Sequence, residues 1–378
     1  MISPIQNSKK KFNNYILNLI DNKFDFKFSN DLDSNSYALC FGIHSLFLIK
    51  DDDTLNKYRD IWVNKLLINI KNNNLSRNQK PFLQLLSLTL SSLIILNSPK
   101  HQIIHDYCLD SIYKDTNKYL KSIGSDYGKP GSGNLAMFLA IFYIYLETFY
   151  KYDFSNSLSE WKKFHQLNEN NFSLWSKNKS INSLKYSYFQ NGYHQYEIYN
   201  YFKISLKNKD NLIRGLSNLS DHRGQFAPYP GGGGCYDYDA VYILTMISKE
   251  SNLSIKSILN KTLNSILLTQ NYDGGFGESI YIRPINISNL IIQLCHISIF
   301  KKEGMNERLG RFLALLRPKH NLIKTHWSDK KRSWSESNIF NSWFRMMTLA
   351  RIEIFNDKEK IKDWNFLNFP GIGFHEQS

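Results

Sequence analysis

Gln270-Asn271-Tyr272-Asp273-Gly274-Gly275-Phe276-Gly277 separates an amphipathic segment from one that is apolar on nearly every face. Fifty residues earlier, Ser220-Asp221-His222-Arg223-Gly224-Gln225-Phe226 repeats its Gly-x-Phe order, with Gly224/Phe226 answering Gly274/Phe276. A fixed period of this length is the mark of a repeat architecture.

The layout around each turn is the same. An amphipathic helix comes first, then a glycine-rich turn, then a helix without a polar face, which has to be buried. The expected half-buried helices are Thr54 to Ile70, Gln102 to Ser122, Ser155 to Gln166, Asn211 to Leu219, Ser254 to Thr269 and Asn306 to Leu316. The expected buried ones are Tyr37 to Ile49, Asn134 to Glu147, His194 to Ile204, Asp239 to Ile247, Asn289 to Phe300 and Ser337 to Ile354. Pro81 to Leu96 fits neither set. An alternation of this kind is what a two-layer ring of about six inner and about six outer helices produces. We therefore expect an all-α chain, a single ring over residues 1–378, with residues 1–30 a peripheral N-terminal segment and 365–378 a C-terminal tail.

Composition narrows the possibilities. Hydrophobic residues make up 42% of the chain, enough for a large core, and the 15% aromatic share suits either an aromatic-lined cavity or plain helix packing. The net charge of +14 would attract nucleic acid, anionic lipid or a phosphorylated ligand. Its densest runs, Lys9-Lys10-Lys11 and Lys330-Lys331-Arg332, are short and stand in no nucleic-acid-binding motif, so no nucleic-acid partner is expected. Cys40, Cys108, Cys235 and Cys295 form no CxxC pair, which points to reduced thiols and a cytoplasmic setting. Met1 to Lys11 lacks the apolar stretch of a signal peptide, and neither Phe82–Leu96 nor Leu135–Leu146 is a clean membrane span, so a soluble chain is expected.

The segment at Gln270 resembles the Gln/Trp repeat of triterpene cyclases and the matching turn of protein prenyltransferase β subunits, with Phe276 where the cyclases have Trp. The resemblance implies an α/α toroid. In it the Gln caps helix ends beneath the aromatic ring, which supports the fold and leaves the chemistry open.

Gly231-Gly232-Gly233-Gly234-Cys235-Tyr236-Asp237-Tyr238-Asp239-Ala240 is where chemistry is most readily placed. Glycines let a ligand approach the backbone at a helix N-terminus. A carboxyl group opening an apolar helix has a raised pKa and can remain a proton donor. The stretch resembles the Asp-x-Asp-Asp motif of class II terpenoid cyclases, with Ala240 in place of the last Asp. That resemblance implies protonation-initiated cyclisation of a linear prenyl substrate, with Asp239 as acid, Asp237 as its partner, and Tyr236 and Tyr238 against the substrate. Helix capping by either acid is the alternative. His194 with Glu197, Trp334, Glu336 and Asn134 stand near the starts of expected buried helices and complete the substrate-binding candidates; Glu278 and Asn338 are similarly placed.

The implied ligand is a hydrophobic or prenyl-diphosphate small molecule, with no cofactor. Peripheral membrane contact and a partner subunit are compatible with the same reading. Two alternatives stay open. One is a non-catalytic or glycan-directed toroid, since Glu197 and Glu336 are acids of the type used on glycans. The other is a prenyltransferase-like enzyme holding zinc, or magnesium, with Cys235, Asp237 and His296 as zinc ligands.

Overall fold

The computed structural model describes residues 3–248, 253–298 and 303–375. Apart from one two-stranded hairpin, the regular structure of the described residues is helical. The chain divides into two compact units. The first comprises Met1–Asp51, Ser183–Tyr186 and Lys209–Asn365; the second comprises Asp52–Asn182, Ser187–Asn208 and Phe366–Ser378.

In the first unit, α1 (Pro4–Asn18) starts where Ser3 Oγ accepts the Gln6 N–H at 3.2 Å and Pro4 presets the first turn. Phe12, Tyr15 and Ile16 are buried and tie it into that unit. A hairpin follows, β1 (Lys27–Ser29) antiparallel to β2 (Leu32–Ser34) with Ser29 opposite Leu32. Asn35 then caps α2 (Ser36–Ile49), accepting the Ala38 N–H at 2.9 Å, and left-handed Lys50 ends it.

The second unit holds α3 (Asp52–Asn72), α4 (Lys80–Ile95), α5 (Gln102–Asp110), α6 (Thr116–Ser122), α7 (Ser132–Tyr150), α8 (Ser155–Asn168) and most of α9 (Tyr186–Tyr201). The segment at Pro81 that fitted neither layer is α4, buried from Phe82 to Leu93 and packed on α7. The expected helix from Gln102 to Ser122 is two helices, because Asp115 caps a new one by accepting the Lys118 N–H at 2.8 Å. The helix expected from His194 instead starts at Tyr186 and stops before left-handed Lys203, where the Ile204 N–H donates back to Tyr199 O at 2.8 Å. Among the described residues α7 alone is long and apolar enough to cross a membrane, and 78% of that window lies buried within the protein.

The chain returns to the first unit with α10 (Lys209–Leu219), α11 (Gly234–Ile247), α12 (Lys256–Leu268), α13 (Ile287–Ser298), α14 (Met305–Leu315) and α15 (Ile339–Asn356). The most extensively packed helix pair is α11 with α15, and α2 adds to it. The expectation that Asn289 to Phe300 is a buried helix is corrected. Of that range, residues 299–300 lie outside the described residues, and α13 turns Ile291 and Leu294 to solvent while burying Gln293 and His296.

The repeated turn is more regular than the sequence suggests. Six-residue turns begin at Asp21, Asn170, Asp221 and Asn271. In each, the first N–H donates to the fifth carbonyl at 2.7–2.9 Å and the fourth N–H donates to the first carbonyl at 2.9–3.0 Å. The fourth residue is left-handed (Phe24 φ 58°, Ser173 φ 55°, Gly224 φ 76°, Gly274 φ 92°). The sixth is a buried aromatic: Phe26, Trp175, Phe226 or Phe276.

Candidate functional site

Two of these turns are anchored alike to helix starts. The Phe226 N–H donates to Asp237 Oδ1 at 2.7 Å, and the Phe276 N–H donates to Ser342 Oγ at 2.8 Å. Asp237 and Ser342 each lie four residues beyond an N-cap, Gly233 for α11 and Asn338 for α15. Asp237 therefore fills the position that a serine fills in the neighbouring copy.

Its other oxygen pairs with Arg345 of α15, and both side chains are completely buried. Arg345 also donates to Gly231 O at 3.2 Å. Burial raises the Asp237 pKa to about 6 against the opposing pull of Arg345 and the Phe226 N–H. Neither acid supplies the cap of α11, whose N-cap is Gly233 without a side-chain capping bond. Gly233 needs glycine because its φ is 55°, and Gly232 because an added Cβ would lie 1.8 Å from the Tyr229 ring.

Those glycines rest on a polar cluster. The Gly233 N–H donates to Glu278 O at 3.0 Å, and the Gly234 N–H donates to Asn341 Oδ1 at 3.1 Å. The Glu278 carboxylate accepts the Tyr229 hydroxyl at 2.5 Å and the Asn341 amide at 3.0 Å, with Arg332 at 4.0 Å. Tyr229 is held protonated as the donor, its pKa raised by burial and then by Glu278. Its ring meets Tyr236 and Trp334 edge-on, and the Trp334 indole donates to His320 O at 2.8 Å.

Tyr236 is half-buried. Burial raises its pKa, neighbouring Cys235, Glu278 and Asp239 add to the rise, and Arg311 opposes it. Two buried carboxyl groups, Asp239 and Glu278, thus bear on one partly accessible phenol.

The remaining candidates lie elsewhere. The Tyr238 hydroxyl accepts from Arg351 Nε at 3.2 Å, and its ring abuts Phe344 between α11 and α15. Glu336 accepts from Ser29 Oγ and from the Ser333 N–H at 3.2 Å, which fastens the hairpin. In the second unit, Asn134 Nδ2 lies 2.8 Å from His194 Nε2, and burial with nearby Lys80 lowers the His194 pKa to about 3. Glu197 accepts the Tyr193 hydroxyl at 2.5 Å.

The zinc alternative is not assembled, because no three His, Cys, Asp or Glu gather into a metal-holding group among the described residues. Asp237 is taken by Arg345, and His296 lies 3.7 Å from Asp221. Sequence reasoning missed Tyr229, Arg332, Asn341 and Arg345. For Arg345 a signal existed: an arginine inside the largely apolar run Phe340–Ile354 calls for a buried partner. Comparison with protein families, curated proteins and solved structures finds no match to this chain.

Proposed function

We propose that the chain is an isoprenoid-handling enzyme resembling a class II terpenoid cyclase, in which Asp239 protonates a linear prenyl substrate and Tyr236 and Trp334 stabilise the resulting cation through their π faces. The observation that carries the reading is Asp239, a carboxyl group buried in the first turns of apolar α11, on the same helix as the half-buried Tyr236. Glu278 is held in place by its donors Tyr229 and Asn341. Asp237 acts as a positioning residue, fixing the start of α11 through Arg345 and Phe226.

We also propose an α/α toroid, with buried helices as its inner layer and half-buried helices as its outer layer. The recurring six-residue turn supports that arrangement.

Asp239→Asn keeps the size and shape of the acid and removes its proton. It should abolish product formation and leave the helical circular dichroism unchanged. Normal turnover of prenyl substrates by this variant would refute the mechanism. A glycan-directed site is the second reading, favoured by two buried carboxyl groups, Asp239 and Glu278, in one unit. Release of reducing sugar from an oligosaccharide panel, lost in Glu278→Gln, would establish it.

A further inference from the structure

α13 and α14 pack side by side with their amphipathic faces inverted. On α13, Ile287, Ile291 and Leu294 face solvent; at the same i, i+4, i+7 spacing beside it, so do Leu309, Leu313 and Leu316 of α14 and its C-cap. These six side chains are 40% to 78% exposed. The buried faces carry the polar residues, and these are fixed there. Gln293 donates to Tyr281 O at 3.2 Å, His296 lies 3.7 Å from Asp221, and Arg308 donates to Leu219 O at 2.6 Å. The helices cannot roll their aliphatic stripe inward without tearing these contacts from the interior. Two adjoining apolar stripes left in water form a patch of the kind that marks a docking surface.

The surrounding charge indicates what docks there. From Tyr281 to Lys324 the sequence holds eight Lys or Arg against two Glu. Slight burial, then Lys319, Arg311, Arg317 and Arg283, lower the pKa of His320, which places several cations together at the end of the pair where α14 stops. A second copy presenting the same face would set like charges against each other. The patch is made of Ile and Leu alone, whereas protein interfaces concentrate their energy in Trp, Tyr and Arg, with Leu under-represented. Aliphatic side chains on one face of a helix pair with cations at the margin match a monolayer of anionic lipid.

We propose that the α13–α14 face seats the protein on an anionic bilayer surface, with Ile287, Ile291, Leu294, Leu309, Leu313 and Leu316 entering the headgroup–acyl boundary. It rests on the exposed face and not on the chemistry assigned to Asp239.

Flotation of the full chain with phosphatidylcholine vesicles, with and without phosphatidylglycerol, tests it. The chain should float only with the phosphatidylglycerol vesicles, and less so as salt rises. Ile291→Glu with Leu313→Glu, at exposed positions that leave the fold intact, should weaken binding at least about tenfold. Arg317→Glu with Lys319→Glu should remove the preference for anionic lipid. The proposal fails if the unmodified chain stays unbound, or if the Ile291/Leu313 variant, helical by circular dichroism, floats like the parent. It fails equally if light scattering shows a dimer that this variant dissociates while vesicles recruit neither protein, since the face would then belong to a second copy.

Discussion

The guanidinium of Arg345 is sealed inside α15, and the carboxylate of Asp237 answers its charge. Removing one partner leaves the other buried without its counter-charge, at a cost of about 3–5 kcal/mol. Asp237→Asn and Arg345→Met should each lower the unfolding free energy by that order, while the double variant should be more stable than either single one; strictly additive losses in denaturant titrations would contradict the pairing. His165 makes a second residue-scale prediction. It is buried in the second unit, with Nδ1 2.8 Å from Trp161 O and Nε2 2.9 Å from Ser125 Oγ, and burial lowers its pKa from 6.5 to about 3. The folded protein keeps this ring neutral where the unfolded chain has already taken up a proton. Stability is therefore present above pH 6.5 and is lost as pH falls from 6.5 towards 3. The loss from this group is at most about 1.4 kcal/mol per pH unit. His165→Asn should flatten that part of the dependence, as read from unfolding midpoints at pH 7 and pH 5.

Among the elements, the six-residue turn is the unit that repeats, and its fourth residue shows why only half of the copies were legible. Gly-x-Phe finds Gly224/Phe226 and Gly274/Phe276, because glycine is the usual residue for a left-handed position. Phe24 and Ser173 adopt the same conformation without being glycine, so no residue type announces those turns. The difference is measurable. Phe24→Gly relieves a left-handed side chain that is itself 43% exposed, and should be neutral or stabilising by up to about 1 kcal/mol. Gly224→Ala places a Cβ 2.8 Å from the Thr262 backbone nitrogen at positive φ, and should destabilise by at least about 1 kcal/mol. Equal effects in thermal unfolding would deny that the turns are equivalent. Burial was legible for α2, α7, α11 and α15, where apolar residues occupy every face. It misled at α13, because composition records how apolar a helix is and not which side carries its few polar groups; Gln293 and His296 are the side that went in. The candidate site was half legible for a related reason. The glycine run, Asp239, Tyr236 and Glu278 are visible as local sequence, whereas Arg332 and Asn341 join them from distant segments, and Tyr229, beside the glycine run, shows its part only through its bond to Glu278.

At the scale of the molecule, the first unit carries both the carboxyl–phenol site and the exposed aliphatic face, while the second carries the Asn134–His194 pair and the buried α4 and α7. With a net charge of +14, the chain would attract anionic partners, a diphosphate or an anionic lipid surface among them. The most direct measurement is mass-spectrometric product analysis after incubating the full chain with linear prenyl diphosphates and with squalene-type hydrocarbons. A cyclised product is expected from at least one of them, formed by the unmodified chain and absent with Asp239→Asn. No product from any substrate, or the same product from the Asp239→Asn chain, would contradict it.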